Sequence, residues 1–293
     1  MATTGLSPAA DADLARTAES LNMLAPRWSV WVLMTLSAGT MRYAEIKPRL
    51  PWLLDGQLSP RLGTLTEAGL VRRTEYNRRH VTYGLTDRGT QALPVLKTIA
   101  AWGDTYLDDY LVRNKATGKL EPAKPAPAQN IEGALALLTP RNALTILWIL
   151  RERGTSSAQS LARVALPGAN GADVYPRLRQ LVDDGLVDRA GTAEDMPLYQ
   201  LSASGQALAP VLRSVSAWAA GRPSAEADDH PVWGPDPAPS LSAPGTWLTH
   251  QPRTSAPPPA APPAPAAWKG SDLFSHPIPS RPLTATPAGG QRR

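Results

Sequence analysis

The sequence repeats itself, and this internal repeat limits the possible folds more than any other feature of the chain. LNMLAPRW from Leu21 recurs as LALLTPRN from Leu135, and PRLGTLTEAGLVRR from Pro60 recurs as PRLRQLVDDGLVDR from Pro176. ALPVLKTIAAW recurs as ALAPVLRSVSAW, which ends at Trp218. Similar apolar spacing in both stretches predicts two copies of one domain.

The composition separates a part of the chain that can fold from a part that cannot. Most of the 31 prolines lie late in the sequence, among alanines and serines, as in SAPPPAAPPAPAA. Such a segment buries too little apolar surface to offset the entropy of ordering. We therefore predict a first domain over residues 14–112, a linker over 113–130, a second copy over 131–221 and a disordered tail over 222–293.

Residue types argue against several chemistries. The chain has no cysteine, which removes thiol nucleophiles, disulfides and thiolate metal ligands. His80 is the one histidine outside the predicted tail, so a histidine-based catalytic or metal centre is not expected. A Gly-rich phosphate loop is also missing. We predict that the protein is not an enzyme and uses no cofactor or metal.

Periodicity and turn residues predict the same order of elements in each copy. Helical spacing precedes a short amphipathic helix and a further helix that Gly69 ends. Two β-prone runs, 70–76 and 80–85, form a hairpin, and helical spacing returns over 90–111. This is the order of a winged helix-turn-helix. The predicted class is mainly α with small β-wings (α+β): two tandem winged helix-turn-helix domains followed by a disordered Pro/Ala-rich tail.

Five short motifs carry a family resemblance. They are APRW, RYAEI, the LxxxLxxLxxxGLVxR run from Leu58, YGLTDRG and LPVLKTIAAWG. Together they resemble the HxlR-type winged-helix transcriptional regulators over about residues 14–110, and more weakly over 131–220. The resemblance implies a bacterial DNA-binding regulator that dimerises through its terminal helices. Many members carry an N-terminal regulatory cysteine, which this chain lacks, so thiol sensing is not expected.

The helix before the predicted wing carries the candidate base-reading residues. With its leucines facing the core, Gln57, Arg61 and Thr64 occupy the opposite face at spacings of four and three residues. In the major groove Gln reads adenine, Arg reads guanine, and Thr meets a base or a phosphate. Pro60 leaves two helix starts open: near Ser59, which excludes Gln57, or about four residues earlier, which includes it. Ser59 is itself a candidate contact.

Basic residues cluster on the predicted wing. Positive side chains there would neutralise phosphates and release counterions. An exposed hairpin also carries charge simply for solubility and to protect its edges. Arg42, which opens the helix before the turn, is a further candidate for a phosphate contact. The wing candidates lie within nine residues: Arg72, Arg73, Arg78, Arg79 and His80.

The second copy keeps the apolar positions and changes the charges. Acidic groups at phosphate-contacting positions oppose DNA binding, so this copy is predicted to be a structural partner in an internal pseudo-dimer packed through terminal helices. Arg177 and Arg179 leave an accessory DNA contact open. A palindromic site would instead indicate a dimer of tandem chains. Asp173 replaces Gln57, Asp188 replaces Arg72, and Glu194 and Asp195 replace Arg78 and Arg79.

These features predict a sequence-specific regulator of transcription, a repressor, whose partner is double-stranded DNA. No early segment resembles a signal peptide and no apolar run approaches membrane-spanning length, so we expect a cytoplasmic, nucleoid-associated protein with no membrane partner. The alternative is a protein-interaction adaptor that no longer reads bases. Its tail would bind a protein partner through aromatic residues: Trp233, Trp247, Trp268 and Phe274.

Overall fold

The computed structural model describes residues 6–77, 80–114, 117–165, 171–193 and 196–235. The protein is rich in helices and carries small antiparallel sheets, as the sequence predicts. A short 3-10 turn, Lys47–Arg49, follows the third helix. The first copy contains, in chain order, α1 (Pro8–Leu24), α2 (Ser29–Leu36), β1 (Met41–Arg42), α3 (Tyr43–Ile46), α4 (Asp55–Glu67), β2 (Val71–Asn77), β3 (His80–Leu85) and α5 (Asp87–Tyr106).

The second copy repeats this order after an additional hairpin. In each copy the second wing strand lies in the middle of a three-stranded sheet, with strand orders β1-β3-β2 and β6-β8-β7. A 3-10 turn, Ser224–Asp229, follows the last helix. The elements are β4 (Tyr110–Arg113), β5 (Leu120–Ala123), α6 (Pro127–Leu138), α7 (Ala143–Arg153), β6 (Ser156–Ser157), α8 (Ala158–Ala165), α9 (Gly171–Asp183), β7 (Val187–Ala193), β8 (Met196–Leu201), α10 (Ala203–Gln206) and α11 (Ala209–Ala219).

Each wing leads into the next helix through a turn that requires glycine. The Thr86 hydroxyl caps α5 by accepting a hydrogen bond from the Gly89 amide at 3.0 Å. A Cβ at Gly89 would lie 2.1 Å from the Leu70 carbonyl oxygen, so a larger residue does not fit. In the second copy the Ser202 hydroxyl accepts from the Gly205 amide at 3.1 Å, and a Cβ there would lie 2.2 Å from a carbonyl oxygen. The repeated glycine therefore reflects close backbone packing.

The terminal helices of the two copies pack against each other. Helix α5 contacts both α6 and α11, and α1 contacts α11. The indole N–H of Trp102 donates to the Ser204 carbonyl at 3.1 Å, and that of Trp218 donates to the Arg88 carbonyl at 3.1 Å. Trp218 repeats Trp102, and Ser204 repeats Arg88, when the two copies are aligned. Such a reciprocal pair of contacts is what a two-fold axis produces in a symmetric dimer.

The segment predicted as a linker, residues 113–130, is partly folded. Strand β4 pairs antiparallel with β5, and Gly118 in the turn between them has a φ of 68°. Helix α6 begins at Pro127, because proline suits the first turn of a helix. The sequence did not predict these elements because a composition rich in Pro, Ala and Lys is typical of a linker. Helix α5 ends at Tyr106, short of the predicted Leu111, because the chain then enters β4.

The prediction of a disordered tail from residue 222 is wrong for its first part. Residues 223–235, which we call the C-terminal clasp, fold back onto the second copy. Trp233 is fully buried and meets Trp148 edge-on, with ring centroids 5.8 Å apart. The Arg151 guanidinium donates to the carbonyls of Val232 and Gly234, each at 3.2 Å. The rest of the predicted tail, 236–293, lies outside the described residues.

The clasp also brings a histidine into the folded part of the protein, where the sequence predicted His80 alone. His230 is buried, and its Nδ1 accepts hydrogen bonds from the amides of Val232 and Trp233. Its Nε2 lies 2.8 Å from Asp13 Oδ2, while the Ser216 hydroxyl donates to Asp13 Oδ1 at 2.7 Å. Burial raises the pKa of Asp13, but the interactions with His230 and Ser216 outweigh it and hold the pKa below its ordinary value.

The second copy contains the apolar helix α7, whose buried residues include Ile146, Leu147 and Trp148. Across the described part of the chain, no single helix is long and apolar enough to cross a membrane. Helices α6 and α7 reach the necessary length and apolar content only when they are taken together, and the chain bends by 78° between them.

The reciprocal indole contacts predict matched effects on stability. Trp102→Phe and Trp218→Phe each leave one carbonyl without its donor and shrink a buried ring. Each variant should lower the free energy of unfolding in urea by about 1–3 kcal/mol. Tyr76→Phe, at an exposed wing position, is the control and should change it by less than about 0.5 kcal/mol. A loss in only one of the two tryptophan variants would contradict reciprocal packing.

The Asp13 contacts predict a stability loss in acid. Because the folded-state pKa of Asp13 is below the ordinary 3.8, its ionised form stabilises the fold above that pH. This contribution is lost as the pH falls through the folded-state value. The difference in unfolding free energy between the wild type and Asp13→Asn should therefore shrink below pH 3.8. Urea titrations at a series of acid pH values test this, and a constant difference would refute it.

Candidate nucleic-acid interface

Helix α4 is the predicted recognition helix, and its start decides between the two alternatives for Gln57. The helix begins at Asp55, so Gln57 lies inside it. The Gln57 side-chain oxygen accepts a hydrogen bond from the Leu54 amide at 3.2 Å and thereby caps the helix. Pro60 sits within the second turn, where it removes the hydrogen bond to the Gly56 carbonyl. The earlier of the two predicted starts is thus the observed one.

A polar cluster fixes the first turn of α4 against α3. The Tyr43 hydroxyl donates to Asp55 Oδ1 at 2.7 Å, and Lys47 Nζ lies 3.6 Å from the same oxygen. Lys47 also donates to the Leu53 carbonyl. Burial and the neighbouring Asp55 raise the pKa of Tyr43 to about 12, and the hydrogen bond from Tyr43 lowers the pKa of Asp55. The two helices of the helix-turn-helix are therefore held at a defined angle.

The outer face of α4 is flat and polar. Gln57 and Thr64 are exposed, as predicted, and so is Ser59. Gly56 and Gly63 share this outer side and have open space where a Cβ would be. Without bulky side chains, such a face can approach another surface closely. The inner face buries Leu58, Leu62 and Leu65.

Arg61 does not lie where the helical spacing predicted. Its side chain is partly buried, and the Nε atom is inaccessible and has no hydrogen-bond partner among the described residues. Burial lowers the pKa of Arg61, while the nearby Glu132 charge raises it. The prediction placed Arg61 on the exposed face with Gln57 and Thr64, but the structure places it at the edge of that face.

Glu132, on α6 of the second copy, was missed by sequence reasoning. Its carboxylate accepts a hydrogen bond from the Trp28 amide at 2.6 Å. Burial raises the pKa of Glu132 above its ordinary value. The Trp28 amide, the Trp31 indole and the charges of Arg27 and Arg61 offset only part of this rise. Alignment of the two copies could have indicated Glu132, because an alanine occupies the equivalent position of the first copy.

The wing has the predicted antiparallel pairing of β2 with β3, with an irregularity near its tip between Glu75 and Asn77. Arg72 is exposed on β2. Arg73 is exposed as well, and its guanidinium lies 2.9 Å from the Glu75 carboxylate. At this exposed position the ion pair leaves the arginine accessible to a competing anion. Arg78 and Arg79 lie outside the described residues.

The other two candidates lie on strands next to each other. The His80 ring packs against Tyr76 with centroids 4.9 Å apart, so part of its surface is covered. Arg42 is exposed on β1, opposite Thr82 of β3, and its amide donates to the Glu45 carboxylate. The fold therefore places Arg42 on the sheet that also forms the wing.

The second copy presents different side chains at the equivalent places. Asp188 is exposed on β7 where the first copy has Arg72, and Ser157 takes the place of Arg42. Arg179 remains exposed on α9. Within the described residues, no group of three or more His, Asp or Glu side chains is arranged to hold a metal ion. The side chain of Asp173 and the residues Glu194 and Asp195 lie outside the described part.

Comparison with known proteins identifies relatives of the length of one copy. A Methanothermobacter thermautotrophicus HTH-type transcriptional regulator is 33% identical over 89 residues, which cover 30% of this chain and 68% of that protein. YvaP, an HTH-type transcriptional regulator of Bacillus subtilis, is 32% identical over 95 residues, covering 32% and 88%. The reduced form of the transcriptional regulator YodB from B. subtilis matches as a solved structure at 27% identity, covering 30% and 89%, with a TM-score of 0.29.

The family comparison covers both copies. The model for the HxlR-like helix-turn-helix matches residues 23–110 and again residues 137–226. Together these matches span more than half of the chain. The chain therefore belongs to the HxlR-like helix-turn-helix family and carries the family's domain twice.

Proposed function

We propose that this protein is a sequence-specific, double-stranded DNA-binding transcriptional regulator, and not an enzyme. Family membership supports DNA-dependent regulation, and the curated relatives are HTH-type transcriptional regulators. The observation that carries the proposal is an asymmetry between two copies of one scaffold. The first copy exposes arginines on its wing sheet, whereas the second has Asp188 and Ser157 at the equivalent positions of Arg72 and Arg42.

The first copy reads bases through α4 in the major groove. Gln57 contacts adenine, Thr64 contacts a base or a phosphate, and Ser59 contacts the backbone beside them. The two glycines on this face support close approach because they leave the helix surface flat. Arg61 reads guanine from the edge of the face through the terminal N–H groups of its guanidinium, because its Nε atom is inaccessible.

The wing neutralises phosphates, with side chains directed at the backbone or into the adjacent minor groove. The exposure of Arg72 and Arg73 supports this assignment, and Arg42 extends the basic surface onto β1. We assign Arg78, Arg79 and His80 to the same phosphate contact because of their sequence positions at the predicted wing tip.

The second copy serves as the dimer partner within the same chain. The reciprocal contacts of Trp102 and Trp218 support this role, because they reproduce the packing expected between two subunits. Its acidic wing position, Asp188, weakens any phosphate contact of its own. One chain therefore carries one DNA-reading unit, which is α4 and the wing of the first copy and which we call the reading head. The second copy is its supporting domain.

The regulator acts as a repressor in the cytoplasm, on the nucleoid. A protein that binds a defined site with one head excludes other proteins from that site, so occupancy alone is sufficient for repression. The tail beyond the clasp is a candidate for binding a protein partner.

Selection of binding sites from a random duplex pool tests the proposal. The wild type should enrich one motif, and Arg78→Glu combined with Arg79→Glu should abolish the enrichment. On the selected duplex, the double variant should also reduce the slope of log K against log salt by about 2, one for each lost phosphate contact. Arg163→Glu with Arg179→Glu, two exposed arginines of the second copy, makes the same charge change and tests the accessory contact left open for Arg179; a single reading head predicts that the motif is retained.

Failure of the wild type to enrich any motif would overturn the proposal and favour the adaptor function. Equal losses in both double variants would contradict a single reading head.

A further inference from the structure

One acidic side chain of the second copy lies against the reading head of the first. Glu132 belongs to α6, which packs on α2 as well as on α5. Its Oε1 atom accepts the Trp28 amide hydrogen at 2.6 Å, which is shorter than an ordinary N–H···O hydrogen bond. The supporting copy is thus attached by a carboxylate to the residue that starts α2.

Trp28 needs such an external partner. It is the N-cap of α2, it has no side-chain cap bond, and its φ of 75° lies in the left-handed region. Non-glycine residues keep this conformation only where the surrounding structure enforces it. Glu132 supplies part of that enforcement, since its acceptor fixes the direction of the Trp28 N–H.

The position of α2 is transmitted to the recognition helix by direct packing. Trp31, one turn into α2, meets Trp52 edge-on with ring centroids 5.0 Å apart. Trp52 lies just before the start of α4, and α2 also contacts α4 directly. The Nε atom of Arg61, on α4, is buried and has no hydrogen-bond partner among the described residues, and the Glu132 charge acts on this guanidinium. Arg27, which stacks on the Trp28 ring at 4.4 Å, is the other cation near Glu132.

The second copy lacks this arrangement, although its backbone is the same. Asn142 has the left-handed φ of 67° at the position of Trp28, but the residue equivalent to Glu132 is Ala18. Arg177, the equivalent of Arg61, donates its Nε hydrogen to the Arg141 carbonyl at 3.0 Å within its own copy. The carboxylate and the unpaired arginine therefore occur together only at the head that carries the basic wing.

We propose that Glu132 is a positioning residue for base recognition. Through the Trp28 amide it holds α2 and the start of α4, and through charge attraction it restrains Arg61 without using that side chain's hydrogen-bonding capacity. Arg61 then meets the groove in a restricted orientation, with the terminal N–H groups of its guanidinium as the donors to guanine. This inference rests on the proposed function and adds a residue from the supporting copy to the determinants of specificity.

The test measures discrimination at each base pair of the selected site for the wild type, Glu132→Gln, Arg61→Gln and the double variant. Glu132→Gln keeps an oxygen for the Trp28 amide and removes the charge. It should reduce discrimination by about tenfold at the single base pair that Arg61→Gln also affects. The double variant should be no worse than Arg61→Gln alone, because Glu132 acts through Arg61. Glu19→Gln, at an exposed position on α1, removes the same charge and should change nothing.

Three results would overturn the inference. Glu132→Gln could show the wild-type discrimination at every base pair, it could lose discrimination uniformly at every base pair, or its effect could add to that of Arg61→Gln in the double variant. Glu132→Asp, which keeps the charge, should retain discrimination at that base pair better than Glu132→Gln. If the amide variant unfolds, Glu132→Asp is compared with the wild type instead, and a loss of about tenfold at that base pair despite the retained charge would overturn the inference. If the wild type enriches no motif, the proposed function itself has failed. If the motif is present but insensitive to Glu132, only the positioning role has failed.

Discussion

The packing of terminal helices between the two copies is the constraint on which the rest of this structure depends. Helices α5 and α11 meet each other, and each also packs on the first helix of the opposite copy. Trp102 and Trp218 fix that arrangement from both sides, and the clasp adds His230 against Asp13. The two copies are joined in one chain, so their terminal helices meet at high effective concentration.

Local patterns explain why much of the fold was predictable. The spacing of Leu58, Leu62 and Leu65 defines the buried face of α4 without reference to the rest of the molecule. The glycine that follows the wing leaves no room for a Cβ against the backbone carbonyl of the residue just before the wing, so it recurs in both copies. The repeat itself revealed the domain organisation. Gln57 and Thr64 followed from the same helical spacing and lie on the exposed face.

What the sequence did not predict depends on contacts between distant segments. His230 and Trp233 stand among prolines and acidic residues, and only Trp148 and Asp13, far away in the chain, show that they are buried. Arg61 has the spacing of an exposed residue, yet its side chain is partly buried and its Nε atom is inaccessible. Nothing in the local sequence distinguishes Glu132 from the other polar residues of α6. Periodicity reports one element at a time, so it misses side chains whose roles arise where elements from the two copies meet.

The central claim is that one chain forms a pseudo-dimer and reads DNA with a single head. The most direct test is the mass of the complex formed with the selected duplex, measured together with the symmetry of the selected motif. The account predicts one chain per duplex on a motif without two-fold symmetry. Two chains bound to a palindromic motif would contradict it, because the second reading head would then come from a second chain.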